Sequence, residues 1–542
     1  MSLANWLSAD SVAGRRWVVG AFFGLLALLG VALHRDYGVS WDEPTDHLNG
    51  LVNVKYIAEL LAPEKIRQEP STRLIPPLKG YHDNDHGVIF EIPVAVLSYL
   101  FTHHDSEAYY YMRHLLIFCT FMLAVWSTYV IGYRRFRDWR LGLLAALVLV
   151  LSPRLFAEAF FNGKDIMFMG LFTLGMVTLV RLTEQPTVRR AVLHGMVIGL
   201  AIDARILGSL LVPFTVVLVL LSWPWLAAPE RRQRLWLLGL SLAVAVGTTI
   251  IGWPYLWENP IGNFVAAFRN MSHYPWIFTN YYLGHYYKAG DIPWHYAPVW
   301  MLVTTPVPYI LAAVLGLVQA GWRILRTGWS GLREPAQQLD LLLAGWLLGP
   351  LLLVIVLHSA LYDAWRHLYF VYPALVLLAV RGAVGLIVAT RQHRRWRPLV
   401  LGLGLLAGLE MARTAVRMVR LHPYQNLYFT LLSAPAAEAL MERDYWGLTF
   451  RYGLEWLLQQ HPVGPIKINV RWPWYNPLYN NSLMLTPEQR QRIRYVPLAK
   501  ADYFMTAYRW HPQTYADSVG TEVHTLRTEG IKVLSIFRRP SR

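Results

Sequence analysis

The sequence predicts a polytopic α-helical membrane protein, and two observations lead to this fold class. Of the 542 residues, 55% are hydrophobic and only 15% are charged, whereas soluble domains usually carry about 25% charged residues. Apolar runs close to the length that crosses a bilayer recur along most of the chain. The formal net charge of +16 does not indicate a nucleic-acid-binding protein, because the basic residues form short clusters between the apolar runs. We therefore expect no nucleic acid among its partners.

Eleven of these runs are candidate membrane spans. The first covers 17 to 33 and follows Arg15 and Arg16; we expect a retained signal-anchor with a cytoplasmic N-terminus, because no clear small-residue cleavage site follows it and many further spans do. A break near Asp203 and Arg205 separates the two runs 190–203 and 206–222. The other ten runs are 108–132, 140–152, 166–182, 190–203, 206–222, 235–252, 298–321, 339–358, 367–388 and 398–419.

Arginine clusters occur in alternate connections between these spans, which is typical of cytoplasmic loops. The clusters are Arg134, Arg135, Arg137 and Arg140; Arg181, Arg189 and Arg190; Arg231, Arg232 and Arg234; Arg323, Arg326 and Arg333; and Arg391, Arg394, Arg395 and Arg397. The opposite face then carries 35–107, 153–165, 253–297, 359–366 and the chain after 420. We expect this outer face of the membrane to be the reactive one.

The sequence divides into a membrane domain over 1–420 and a small soluble domain over 421–542. Within the first outer loop, 35–107, the stretch 87–102 is short and contains Glu91 and Pro93, which favours a helix at the membrane interface over a further span. After residue 420 no span follows, and periodicity predicts a helix over 446–460 and strands over 466–470, 502–506 and 531–537. The single cysteine, Cys119, lies inside an apolar run and is predicted to be buried.

After the first span, three carboxylates lie close together in a stretch of five residues: Asp42, Glu43 and Asp46. A carboxylate near the interface can take a proton from an acceptor hydroxyl or amine. Acidic residues at a helix start are also ordinary caps. We interpret Asp46 as such a cap or as a solvated neighbour.

A second polar cluster in the same loop contains Tyr81, His82, Asp83, Asp85 and His86. Carboxylate and imidazole ligands so close together could bind a divalent metal ion, with Asp83, Asp85 and His86 as its ligands. A solvated loop start is the alternative. No other cofactor is indicated.

Two further outer segments carry charge at the start of apolar runs. Lys164 and Asp165 precede one run, where the helix dipole alone would favour the anion. A second apolar run begins after Arg366, His367 and Tyr369. The guanidinium of an arginine can donate two hydrogen bonds to phosphate oxygens. An aromatic belt with a snorkelling arginine has the same composition and is the alternative. The loop 253–297 is rich in aromatic and imidazole side chains, a composition that suits sugars and isoprenoid chains and also occurs in aromatic belts.

Together these segments resemble the GT-C membrane glycosyltransferases. The resemblance covers about residues 10 to 420 and is closest to the bacterial branch related to protein O-mannosyltransferases and to lipid A aminoarabinose transferases. It depends on Asp42-Glu43 directly after the first span, the long first outer loop, Asn162-Gly163-Lys164-Asp165, Trp294-His295-Tyr296-Ala297-Pro298-Val299-Trp300 and Arg366-His367-Leu368-Tyr369. The residues after Asp42-Glu43 match no single subfamily, so the acceptor stays open.

The resemblance implies inverting transfer of a sugar from a polyprenyl-phosphate donor to an envelope acceptor, which could be a lipid, a glycan or a protein. Asp42 would be the general base, Glu43 would support it and Asp165 would line the same cavity. The donor phosphate would be held by Arg366, His367, Lys164 and Lys288. The substrate pocket would be lined by Tyr81, His82, His285, Trp294, His295 and Tyr369.

Two other classes of protein remain as alternatives. A lipid or glycan transporter or flippase would also be polytopic, but would more often place charges within its spans and show two similar halves. A non-enzymatic envelope scaffold would tolerate loss of Asp42 and Arg366.

Overall fold

The computed structural model describes residues 12–103, 105–272, 276–473, 475–515 and 519–540, and these are mostly α-helical. The α-helices up to residue 421 are Val12–Leu33, Glu43–Leu61, Pro63–Gln68, Glu91–Phe101, Ser106–Phe136, Trp139–Val150, Pro153–Phe161, Gly163–Glu184, Val188–Ala204, Leu211–Leu221, Ala228–Gly252, Pro260–Ser272, Tyr296–Thr304, Val307–Gly331, Pro335–Val356, Tyr372–Gln392 and Arg397–Leu421. Those after it are Ala434–Leu440, Thr449–Gln460, Tyr475–Ser482 and Pro487–Arg492. Short 3-10 turns are Pro70–Leu74, Ile206–Leu210, Trp223–Trp225, Pro254–Leu256, Arg366–Val371, Arg394–Trp396, Gln425–Leu427 and Leu498–Lys500.

Nine helices of the described chain are long and apolar enough to cross a bilayer, and a tenth crossing results if the pair Trp139–Val150 and Pro153–Phe161, bent by 71°, counts as one. These ten correspond to ten of the eleven predicted runs. The remaining run, 190–203, forms the 17-residue helix Val188–Ala204, whose length of about 25 Å is at the lower end of what a bilayer requires. The expected multi-pass architecture is therefore confirmed.

Three of the long helices form the centre of the bundle. Over its most apolar 18 residues, the helix from Gly163 is 78% buried, and the segment from Arg366 to Arg391 is 67% buried. Ser106–Phe136 is also mostly buried, whereas Val12–Leu33 and the segment from Arg394 to Leu421 are covered by little protein. Central helices position the polar site described below, and the peripheral ones present apolar surface that suits lipid.

Side-chain caps explain where several of these helices begin. Asp105 accepts a hydrogen bond from the backbone N–H of Glu107 at 2.9 Å, and Asp138 accepts one from Arg140 at 2.9 Å. Such caps satisfy N–H groups that have no partner within the helix.

Two sequence predictions differ from the structure. The run 298–321 is not one helix, because the chain breaks between Tyr296–Thr304 and Val307–Gly331, where Pro306 cannot donate a backbone hydrogen bond. Cys119 is exposed rather than buried. An apolar residue on a membrane helix can face lipid, so an apolar run does not predict burial within the protein.

The C-terminal region contains a five-stranded sheet, as expected for a small α/β unit. Its strands are Ile466–Asn469, Ile493–Tyr495, Tyr503–Ala507, Thr521–Thr528 and Ile531–Arg538. The first strand pairs in parallel with the second and third; the last pairs antiparallel with the third and fourth. The helix Thr449–Gln460 packs on this sheet through Leu454, Leu457 and Met505. A separate two-stranded hairpin, Thr279–Tyr282 with His285–Lys288, lies in the loop 253–297.

The first outer loop is docked onto the break after Val188–Ala204. The carboxylate of Asp203 accepts a hydrogen bond from the backbone N–H of Val88 at 3.0 Å. Gly87 approaches so closely that a Cβ there would overlap the backbone carbonyl oxygen of Asp203. The predicted interfacial helix follows at once as Glu91–Phe101, whose 11 residues are too few to cross a bilayer.

We expect Gly87→Ala to destabilise the protein by about 1 to 3 kcal/mol, because the loop must move away from Asp203 to accept a methyl group. Thermal unfolding of the purified protein in detergent measures the effect. Gly290→Ala is the matched control, since nothing lies within 4 Å of a Cβ at that position. Equal midpoints for the two variants would contradict this docking.

Candidate active site

Asp42 lies at the start of the helix Glu43–Leu61 but does not cap it. Its carboxylate makes no hydrogen bond to the first-turn N–H groups. The side chain is 27% exposed and lies 2.9 Å from the Arg366 guanidinium. The capping alternative therefore does not apply to Asp42, which is free to contact both the arginine and a substrate.

Arg366 is surrounded by three carboxylates, two of which come from other segments of the chain. Its Nη1 donates to Oδ2 of Asp42 at 2.9 Å and to Oδ2 of Asp165 at 3.4 Å, and its Nη2 lies 3.0 Å from Oδ2 of Asp363. The guanidinium also faces the rings of Tyr362 and Trp446, at 5.1 and 4.8 Å from their centroids. These contacts compensate a cation whose side chain is only 3% exposed.

The loop before Arg366 has an unusual backbone that aims the arginine. Asp363 and Ala364 both have positive φ, 58° and 62°, a left-handed conformation that is uncommon for non-glycine residues. The 3-10 turn Arg366–Val371 follows directly. A tight reversal therefore presents Asp363 and Arg366 on the same side.

A second arginine joins the group on the far side of Asp165. Nη2 of Arg205 lies 2.5 Å from Oδ1 of Asp165. Arg205 follows the last residue of Val188–Ala204, where the sequence shows a break between two apolar runs. We name Asp42, Asp165, Arg205 and Arg366 the acid–arginine cluster.

The cations of this cluster set the protonation of Asp42. Burial would raise the pKa of its carboxyl, but the charges of Arg366, Lys164 and Arg205 outweigh burial and hold that pKa below its usual range. Asp42 is therefore ionised at neutral pH, as a proton acceptor must be.

Glu43 and Asp46 point away from Asp42 into a buried network around Arg113. Nη1 of Arg113 lies 2.6 Å from Glu91, its Nη2 lies 3.3 Å from Asp46, and its Nε lies 3.5 Å from Glu43. Glu43 also accepts from the backbone N–H of Ser40 at 2.7 Å and lies 3.1 Å from Nε2 of His114. Glu43 thus contacts the scaffold beneath the loop and not Asp42.

The interpretation of Asp46 as a solvated cap is wrong, because Asp46 is buried. Its Oδ1 lies 2.7 Å from Nζ of Lys164, which approaches from the start of Gly163–Glu184. Burial raises the pKa of Asp46 to about 7, and the Lys164 ammonium offsets only part of that effect. Lys164 therefore connects the Arg113 network to the acid–arginine cluster.

The proposed metal ligands Asp83, Asp85 and His86 are brought together, but as ion pairs. Nδ1 of His86 lies 2.9 Å from Asp83 and 3.3 Å from Asp85. The second oxygen of each carboxylate accepts a hydrogen bond from Asn49 or from Asn270. Each of the four carboxylate oxygens lies within 3.3 Å of a nitrogen of His86, Asn49 or Asn270. Within the described ranges no three or more His, Cys, Asp or Glu side chains are arranged to hold a metal ion.

The other predicted site residues lie around the acid–arginine cluster or away from it. His367 is buried beside Tyr362, and Tyr369 donates to Glu158 at 2.7 Å. His295 contacts the hydroxyl of Tyr282 at 2.7 Å. Tyr81 is buried in the first loop, His82 is exposed next to it, and Trp294, His285 and Lys288 are exposed on the third outer loop. No described contact joins these last three to Asp42 or Arg366.

The C-terminal domain supports the loop that carries Asp42. The side chain of Asn481 accepts from the N–H of Val39 and donates to its carbonyl, both at 3.0 Å. The ring of Trp41 contacts those of Phe278 and Trp510 at 5.9 and 5.8 Å. The C-terminal region therefore contacts the segment that carries Asp42, which the sequence did not predict.

Comparison with solved structures finds similar chains of two kinds. ArnT from Cupriavidus metallidurans, in the apo state and bound to undecaprenyl phosphate, shares 14% and 15% identity over 97% of this chain and 98% of that one, with a TM-score of 0.48 for both. The archaeal oligosaccharyltransferase AglB from Archaeoglobus fulgidus, in complex with an inhibitory peptide and a dolichol-phosphate, shares 11% identity over 89% of this chain, with a TM-score of 0.48. This chain spans 65% of the length of that oligosaccharyltransferase chain.

No family model matches the chain, and no curated protein matches it in sequence. Because the identities are 15% or less and the TM-scores are below 0.5, the likeness assigns no activity to this chain.

We expect Arg113→Met to destabilise the protein by about 3 to 5 kcal/mol, because it leaves Glu43, Asp46 and Glu91 buried without their shared cation. Arg323→Met is the matched control: Arg323 pairs with Glu334 at 2.6 Å, but both side chains are about half exposed, and such pairs contribute about 1 kcal/mol or less. Thermal unfolding in detergent compares the two. A similar small loss in both variants would show that the Arg113 network is not an essential support.

Proposed function

We propose that this protein is an inverting glycosyltransferase that moves a sugar from a polyprenyl-phosphate donor to an envelope acceptor on the outer face of a bacterial cytoplasmic membrane. The single observation that carries the proposal is the pair of Asp42 and Arg366. A partly exposed carboxylate, kept ionised by a buried guanidinium 2.9 Å away, follows a membrane helix and stands beside further cations.

Each residue of the acid–arginine cluster has a role in this reaction. The acceptor oxygen or nitrogen forms a bond to the anomeric carbon as its proton passes to a carboxylate oxygen of Asp42. The anomeric C–O bond to phosphate breaks, and its electron pair leaves with the lipid phosphate. Displacement from the face opposite the leaving group inverts the anomeric configuration.

Cations close to Asp42 would stabilise the charge that develops on the leaving phosphate. Arg366 and Lys164 keep the roles that the resemblance implies, and Arg205 is added because it is linked to Arg366 through Asp165. His367 and Lys288 are weaker candidates, since their described contacts do not reach this group. Asp165 orients both arginines.

The membrane arrangement supports this chemistry. We propose a cytoplasmic N-terminus, a membrane domain over 1–420 and an extracytoplasmic domain over 421–542. The helix Arg397–Leu421 ends at the proposed boundary, and the contacts of Asn481 with Val39 and of Trp510 with Trp41 support a later domain on the same side as Asp42. The reacting groups would then meet a donor whose lipid chain stays in the bilayer.

We expect Asp42→Asn to lower the rate of sugar transfer by about 100-fold or more, because a general base typically contributes a factor of about 10² to 10⁴. Purified protein is assayed with a panel of labelled polyprenyl-phosphate sugars. Asp36→Asn is the matched control: this carboxylate lies in the same loop but pairs with His422 at 2.7 Å, so its loss should leave transfer near the wild-type rate.

Retained transfer in Asp42→Asn would remove Asp42 as the base. A folded wild-type protein that uses no donor of the panel would favour a transporter or a scaffold.

The pH dependence of transfer tests the Arg366 contact separately. Transfer needs ionised Asp42, so activity should persist as the pH falls to about 4, the ordinary pKa of aspartate, and be lost only below it. In Arg366→Gln the cation is removed while burial remains, so the pKa of Asp42 rises and the acidic limb moves to higher pH. The acidic limb is measured as kcat/KM against pH in the wild type and in Arg366→Gln, with thermal unfolding at each pH as a control. An unmoved limb would contradict this role of Arg366.

A further inference from the structure

Arg509 is a buried arginine of the C-terminal domain that reaches the membrane domain. It lies two residues after the strand Tyr503–Ala507 and is 1% exposed. Its Nε donates to Glu442 at 2.9 Å, its Nη1 donates to the carbonyl of Tyr445 at 3.0 Å, and its Nη2 contacts the carboxylate of Asp363. All three directions of the guanidinium are therefore occupied.

Asp363 is shared between two arginines of different domains. Its Oδ1 accepts from Arg509, and its Oδ2 lies 3.0 Å from Nη2 of Arg366. The opposite nitrogen of Arg366, Nη1, contacts Asp42. An unbroken chain of charged groups thus runs from Arg509 through Asp363 and Arg366 to Asp42.

The balance of charge along this chain depends on Arg509. Asp363 and Glu442 are both buried, and burial raises the pKa of each carboxyl, that of Glu442 to about 7. Without Arg509, Glu442 loses its cation and Asp363 keeps only Arg366. Arg366 would then be drawn toward Asp363 and away from Asp42.

We propose that Arg509 is a positioning residue for the site: it fixes Asp363, and Asp363 fixes Arg366 so that the other guanidinium nitrogen faces Asp42. The inference rests on the proposed function for the role of Asp42, but the placement of Arg366 can be measured without any transfer reaction. The soluble domain then supplies a part of the site and does not merely cover it.

Another ion pair joins the same two parts of the chain without reaching the site. Nε of Arg417, on the helix Arg397–Leu421, donates to Glu529 at 2.7 Å, and Glu529 lies in the turn between Thr521–Thr528 and Ile531–Arg538. Breaking this pair weakens the attachment of the domain. It leaves intact the series of ion pairs that connects Arg509 through Asp363 and Arg366 to Asp42. Glu529→Gln is therefore the matched control for Arg509→Gln.

The full-length protein in detergent is compared as wild type, Arg509→Gln, Arg509→Lys and Glu529→Gln. In Arg509→Gln we expect faster amide hydrogen exchange over 361–371, kcat about tenfold lower, as for other supporting partners of a site, and an acidic limb of the pH profile at higher pH. Arg509→Lys should come closer to wild type than Arg509→Gln in each measurement, because lysine supplies the positive charge but not the planar, bidentate guanidinium. Glu529→Gln should lower the unfolding midpoint. It should leave the amide exchange over 361–371, kcat and the acidic limb of the pH profile at wild-type values.

Arg509→Gln with wild-type exchange over 361–371 and an unmoved acidic limb would overturn the inference, whatever its unfolding midpoint. If Arg509→Gln does not fold, the same readouts in Arg509→Lys decide: wild-type values in every readout overturn the inference. A wild-type protein that transfers no sugar would refute the proposed function alone, since exchange over 361–371 still shows whether Arg509 positions Arg366.

Discussion

A buried guanidinium needs compensating partners, and for the Arg366 side chain these are three carboxylates, two of which come from distant parts of the chain. Asp42 follows the first membrane helix, Asp165 begins a central helix, and Asp363 comes from the reversed loop beside Arg366. Arg509 of the C-terminal domain then compensates Asp363. Each segment must be in place for the next charge to be balanced, so the site and the packing of the two domains depend on one another.

Arg113 satisfies the same condition but has a different consequence. Its three carboxylates, Glu43, Asp46 and Glu91, are nearly inaccessible, whereas Asp42 is 27% exposed. Both clusters hold carboxylates beside arginine, yet only the cluster of Arg366 leaves one of them within reach of a substrate. Exposure, not charge, is therefore the structural difference between Asp42, the proposed base, and the buried carboxylates around Arg113.

Hydropathy was sufficient to predict the membrane-capable helices. The outer face that would carry Asp42, Asp165 and Arg366 depends on the arginine distribution and stays a prediction. The opposite directions of Asp42 and Asp46 could not be predicted, because helical spacing of four residues puts both on one face. Their partners, Arg366 and Arg113, which separate them, are far away in sequence. Arg205 and Arg509 were missed for the same reason. The strand Ile493–Tyr495 is too short to show alternation, and Thr521–Thr528 is largely polar at the edge of the sheet.

The contact of Asn481 with Val39 has a consequence for biosynthesis. The two residues are 442 positions apart, and a growing chain emerges from its N-terminus first. The segment before Asp42 therefore stays without this main-chain partner until residue 481 has been made. A chain that stops short of residue 481 lacks the support of Asn481 even when all its membrane helices are present, so the segment of Asp42 can take its final form only after those helices have been made.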